Sequence, residues 1–150
     1  MDNDLYLASR SSRLLAVLVD AFITFLFFIL MSFLTGISTS DFMDSTFNVK
    51  FFMISILSIL IFNVIIPTFV WKGQTLGKRW IKIAVVKDTD EEVDLITILV
   101  RSVFLFFGQI SLPIISYVFN VIAFIDPLLI FRGNRKTIHD MIAKTKVIDV

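Results

Sequence analysis

The stretch LITILVRSVFLFFGQISLPIISYVFNVIAFIDPLLIF, Leu95 to Phe131, decides how this chain is built. It is nearly continuous apolar sequence, broken only by Arg101 and by Gly108-Gln109-Ile110-Ser111-Leu112-Pro113. As one helix at about 1.5 Å per residue it would reach roughly 55 Å, while the hydrocarbon of a bilayer is roughly 30 Å thick. It must bend or split. Either two passes hinge around Gly108 to Pro113, or an interfacial helix from Leu95 leads into one pass ending near Phe131.

Outward from that stretch lie two simpler apolar runs. Leu14 to Leu34 has about the 20 residues needed to cross a bilayer, and Phe51 to Val70 forms a second span, with Trp71 at headgroup level. Pro67 is placed to kink the end of the second span. Arg10 and Arg13 ahead of an apolar core also fit a signal peptide, but that core is too long and holds Asp20.

Charge distribution chooses between the two readings of the third run. Thr35 to Lys50 carries a single Lys, whereas Trp71 to Asp94 carries Lys72, Lys78, Arg79, Lys82 and Lys87, and the tail carries Arg132, Arg135, Lys136, Lys144 and Lys146. Basic residues mark the cytoplasmic side, and two passes in the third run keep all these segments inside. The expected fold is therefore an all-α membrane protein, a bundle of about four transmembrane crossings split near Pro113. Trp80 to Lys87 and Lys144 to Val150 alternate in polarity and read as short strands that pair as a small cytoplasmic β element. Gly73 and Gly77 read as a loop into the first strand. No internal repeat stands out, and residues 1–150 read as a single domain.

Composition supports this class: 57% of the 150 residues are hydrophobic and 18% charged, against about 45–50% and 25% in soluble domains. A formal net charge of +1 argues against nucleic acid as a partner. With no Cys and a single His, His139, thiolate catalysis and His/Cys metal centres are excluded. No nucleophile motif or phosphate loop is present either, so neither enzyme chemistry nor a metal or cofactor is expected.

Four spaced motifs carry a resemblance. They are Arg13-Leu14-Leu15-Ala16-Val17-Leu18-Val19-Asp20, Gly73-Gln74-Thr75-Leu76-Gly77-Lys78-Arg79, then Arg101, and Arg135-Lys136-Thr137-Ile138-His139-Asp140 followed by Lys144-Thr145. Together they resemble the RDD family of bacterial membrane proteins, named for one arginine and two aspartates. The resemblance covers nearly the whole chain and implies that Arg13 and Asp20 are the family's Arg and first Asp. Asp140 fits the second, with Asp126 as its membrane-embedded rival. It further implies a multi-pass protein of the bacterial plasma (inner) membrane, engaged, as some members are, in cation/proton exchange or, as others are, in association with membrane enzymes.

Depth along the spans suggests where chemistry resides. Asp20, Asn63, Arg101 and Asp126 each lie six to eight residues from a cytoplasmic end, about 9–12 Å inside the edge. Charge at that depth needs a partner or water. The expectation is a cluster in which Arg101 pairs with Asp20, Asp126 or both, with Asn63 adding an amide and Thr24 and Asn120 extending it. Two carboxylates around one guanidinium could hold H⁺ or Na⁺. The same cluster could instead simply lock helix register. Arg13 is placed to snorkel to lipid phosphate, and Asp140 to cap the turn into the last strand. The acidic run from Asp88 to Asp94 reads as a solvated hairpin tip or a docking surface. Two functions stand: an accessory or regulatory subunit with a membrane-protein partner or a second copy, and a cation/proton antiporter.

Overall fold

The computed structural model describes residues 7–38, 40–41, 47–109, 113–133 and 135–150. Among the described residues, three helices are long and apolar enough to cross a membrane: Arg10–Leu34, Val49–Val70 and Ile114–Phe131. The first, α1 (Arg10–Leu34), starts where Ser9 Oγ accepts the Ser12 N–H, the usual device for an orphan first-turn donor. The second begins as α2 (Val49–Ser58), capped by Asn48, and widens into a π-helical stretch, Ile59–Val70, that contains Pro67. Proline has no N–H to give to the helix. Ser102 Oγ of a neighbouring helix donates to the Asn63 carbonyl at 3.4 Å.

The decisive third run is split. Leu95–Arg101 (α4) and Val103–Phe107 (α5) are short helices broken at Ser102, and α6 (Pro113–Ile125) continues as a tight 3₁₀ turn, Asp126–Phe131. Within the expected hinge, residues 110–112 lie outside the described residues. α5 and α6 fold back on each other: Phe107 stacks on Phe119 at 4.9 Å, and Ser116 Oγ and Asn120 Nδ2 both donate to the Gly108 carbonyl. Asn120 is thereby occupied away from the charged residues it was expected to join. The bundle's outer surface stays apolar and exposed, with Phe22, Phe33, Phe69, Ile114 and Phe124 among its residues. A surface of this kind suits the apolar interior of a bilayer.

At one end of the bundle the two expected strands pair antiparallel, β1 (Ile83–Lys87) with β2 (Thr145–Asp149), with Val85 opposite Val147. Leu7 bridges to Ile148, and the Ala8 N–H donates to the Val147 carbonyl. Ile83, Val85 and Val147 are fully buried and pack with Ala8, Ala16 and Ile98, so one face of the sheet sits on the ends of the membrane helices. Trp80 and Ile81 do not belong to the first strand as expected. They close a short helix, α3 (Leu76–Ile81), capped by Thr75.

A repeat that the residues hide is plain in the backbone. A threonine cap (Thr75, Thr137) starts a short helix (α3, and α7 over Ile138–Ile142), a left-handed lysine follows (Lys82 at φ 59°, Lys144 at φ 52°), and a five-residue strand closes each unit. Counterparts lie a constant 62 positions apart. Val85 and Val147 are both counterparts and partners, so a pseudo-two-fold axis passes between them. The bonds that close the sheet obey it: Asp88 N–H donates to the Lys144 carbonyl and Val150 N–H to the Lys82 carbonyl, each at 2.9 Å. The expectation of a chain without internal repeat is thus corrected.

Two motif glycines have steric reasons. Gly73 has φ +80°, and a Cβ there would strike the Val85 backbone. Gly77 is not in a loop but inside α3, where a Cβ would meet the Ala16 carbonyl and stand 3.0 Å from the Asp20 carboxylate. Its bare backbone lets α3 lie against α1.

Candidate functional site

The polar residues gather where the membrane helices meet this repeated cap. Asp140, on α7, is at the centre and wholly buried. Arg13 Nη2 of α1 bonds its Oδ2, and Arg101 Nη1 of α4 reaches its Oδ1 at 2.5 Å. Each arginine has a second acceptor, the Arg135 carbonyl for Arg13 and Thr145 Oγ1 for Arg101. Oδ2 also accepts the Thr137 N–H at 3.2 Å, while Thr137 Oγ1 accepts the Asp140 N–H, which makes a reciprocal capping box. Burial alone would raise the Asp140 pKa, but Arg101, His139 and Arg13 outweigh it and hold the carboxyl below the usual carboxylate range.

The other two aspartates reach from membrane helices into the starts of the short cap helices. Asp20 of α1 accepts from Thr75 Oγ1 at 2.5 Å and from the Gly77 N–H at 2.7 Å. Asp126, at the end of α6, accepts from the N–H groups of Ile138 (2.6 Å) and His139 (3.3 Å), and its Oδ2 bonds His139 Nδ1. A carboxylate only accepts, so Nδ1 carries the proton. Burial lowers the His139 pKa, and Arg101 lowers it further against the pull of Asp126, which keeps the ring neutral at pH 7.

Lys78 differs from its neighbours. It is half-buried on α3 and hydrogen-bonds to no other described residue through its ammonium. Burial lowers its pKa to about 8, with Arg101 repelling the charge and Asp20 and Asp140 partly compensating. Under the pseudo-two-fold, Lys78 is the counterpart of Asp140.

These groups border one cavity of about 620 Å³. Arg13, Asp20, Asn63, Lys78, Arg101 and Asp126 form its polar end, and Phe25, Phe28, Ile59 and Phe104 much of its apolar wall. The four residues expected to share a depth, Asp20, Asn63, Arg101 and Asp126, therefore do surround one space. Their pairing differs from the expectation: Arg101 is bonded to Asp140 and Thr145, and neither Asp20 nor Asp126 is its partner. The side-chain amide of Asn63 makes no hydrogen bond to another described residue. Thr24 lines the cavity. Arg13 is buried on Asp140 and does not snorkel outward. Among the described residues, no three His, Asp or Glu side chains converge as a metal site requires.

Sequence reasoning did not find Thr145 as the second acceptor of Arg101. It also did not foresee that Asp20 and Asp126 would each hold the start of a short helix. The Thr137-to-Asp140 capping spacing was the readable signal for the second of these.

Comparison with known proteins agrees with the charge pattern. The "Uncharacterized protein YckC" of Bacillus subtilis (strain 168) is 32% identical over 91 residues, which cover 61% of this chain and 56% of that relative. The chain thus spans little more than half of that relative's length. No solved structure matches the chain. The sequence model of the RDD family matches residues 7–144, taking in Arg13, Asp20, the Gly73-to-Arg79 segment, Arg101 and Asp140. The chain belongs to the RDD family.

Proposed function

We propose that this chain is a non-enzymatic accessory or regulatory subunit of another membrane protein in the bacterial plasma membrane, crossing the bilayer four times with both termini in the cytoplasm. One observation carries the subunit reading: Asp20, Asp126 and Asp140 are each committed to two or more donors that fix the cap to the bundle. A carrier carboxylate must exchange its partners during each cycle, and an anchoring one must keep them.

The topology rests on the sheet. Ala8, β1 and β2 meet there and share one side of the membrane. Arg10–Leu34 and Val49–Val70 make an even pair, and Ile114–Phe131 needs one more passage before it, which falls to Leu95–Phe107. The basic residues near the sheet support the cytoplasm as that side. Single cysteines at Glu91 and Val150, in a chain that has none, should react with an impermeant maleimide only after the membrane is opened. Reaction of only one of them in intact cells contradicts the four-crossing reading, and reaction of both contradicts the cytoplasmic side.

Cross-linking in native membranes should recover a second protein in stoichiometric amount. A second reading, cation/proton exchange, is favoured by Asp20 and Asp126 lining the same cavity. It predicts proton-coupled Na⁺ flux in proteoliposomes that Asp20→Asn or Asp126→Asn abolishes. Such flux, together with recovery of the chain alone, would replace the subunit reading.

A further inference from the structure

The cavity beneath the sheet is polar at one end and apolar along the rest, and its groups are unequally satisfied. Asp20, Asp126 and Asp140 all have donors, and Arg13 and Arg101 are both spent on Asp140 and on neighbouring acceptors. Lys78 and the Asn63 amide line the same space and hydrogen-bond to no other described residue. Arg101 is the strongest charge acting on Lys78 and repels it, with Arg13 adding to that and Asp20 and Asp140 opposing it. The N–H donors of the Lys78 ammonium and the Asn63 amide are suited to an acceptor-rich, anionic ligand.

The apolar wall narrows the identity of that anion. Phe25, on the membrane helix α1, lines the cavity and is 59% exposed. A ligand that enters there arrives from the membrane and has an apolar part to lay along Phe25, Phe28, Ile59 and Phe104. About 620 Å³ lies within the range of ordinary ligand sites. Basic pockets between membrane helices at the cytoplasmic edge are suited to anionic headgroups, and lysine is a good point-charge partner for phosphate.

We propose that this cavity holds an anionic bilayer phospholipid, its phosphate on the Lys78 ammonium and the Asn63 amide and its chains leaving past Phe25 into the bilayer. The lipid completes the polar end of the cavity and ties the cap to the surrounding membrane. The site is independent of the subunit reading, because it is read on the purified chain alone.

Native mass spectrometry of the full chain, released from nanodiscs of mixed phosphatidylglycerol and phosphatidylcholine, tests this. The wild type should retain phosphatidylglycerol over phosphatidylcholine by about fivefold, the preference expected of one juxtamembrane cation. Lys78→Gln should lose that preference and Lys78→Arg should keep it. Equal retention of the two lipids by the wild type overturns the proposal, whatever the variants do. An unchanged preference in Lys78→Gln overturns it as well. Displacement of the lipid by millimolar inorganic phosphate overturns it in favour of a soluble phosphate.

Discussion

Arg13, in the first turn of the first membrane helix, and Asp140, 127 positions later, share a buried salt bridge that joins segments far apart in the sequence. Arg101 completes it from the third apolar run, so one carboxylate ties three segments together.

Removal of that carboxylate leaves two guanidiniums unpaired in a low-dielectric setting. Asp140→Asn should cost about 3–5 kcal/mol, the range for breaking a buried pair from one side. Thermal unfolding in detergent reads the loss, and adding Arg13→Met and Arg101→Met should recover part of it. Because the folded Asp140 pKa lies below the ordinary range, its stabilisation is complete above about pH 4, the unfolded value. It is lost as pH falls further through the folded value. The wild type should therefore lose stability in acid more steeply than Asp140→Asn.

Lys78 predicts a slope at the opposite end of the pH scale. Burial, reinforced by Arg101, places its folded pKa at about 8, against about 10.4 for an unfolded lysine. Between those values the unfolded chain binds more protons, so stability rises with pH. Melting in phospholipid-free detergent should shift upward from pH 8 to 10, and Lys78→Met should flatten that rise.

Gly77→Ala places a methyl group against the Ala16 carbonyl and the Asp20 carboxylate. Overpacking of this kind costs about 1–3 kcal/mol. Gly133→Ala, where a Cβ has no neighbour within 4 Å, should stay within about 0.5 kcal/mol of the wild type. Equal melting temperatures for the two variants would remove close packing as the reason for Gly77.

The two threonine caps should behave as counterparts. Thr75→Val loses its donor to Asp20 and its acceptor for the Lys78 N–H, and Thr137→Val breaks the capping box with Asp140. Each should cost about 1–2 kcal/mol, measured by chemical unfolding in detergent.

The membrane helices were legible in the sequence because an apolar run of bilayer length needs only local information. The pairing of β1 with β2 was legible because two lone alternating strands on one side have few other partners. Depth counting placed Asp20, Asn63, Arg101 and Asp126 around one space. It did not give their bonds, because partner choice depends on contacts between positions far apart, as with Arg101 and Asp140. The repeat escaped for a different reason. Of the fifteen positions Gly73–Lys87 and Arg135–Asp149, only Thr, Lys and Val recur in place. What is repeated is a run of backbone conformations, with Lys82 and Lys144 in the left-handed region, and many different side chains satisfy it.

Asp140 follows Arg13 and Arg101 in the sequence, and that order bears on biosynthesis. Ribosomes deliver Arg13 and Arg101 to the insertion machinery before the carboxylate that neutralises them has been translated. Until α7 emerges, both guanidiniums must stay hydrated or lean on lipid phosphate. Arrival of Asp140 and β2 then closes the cap over the helix ends, so truncation between Arg101 and Asp140 should leave both guanidiniums without that partner.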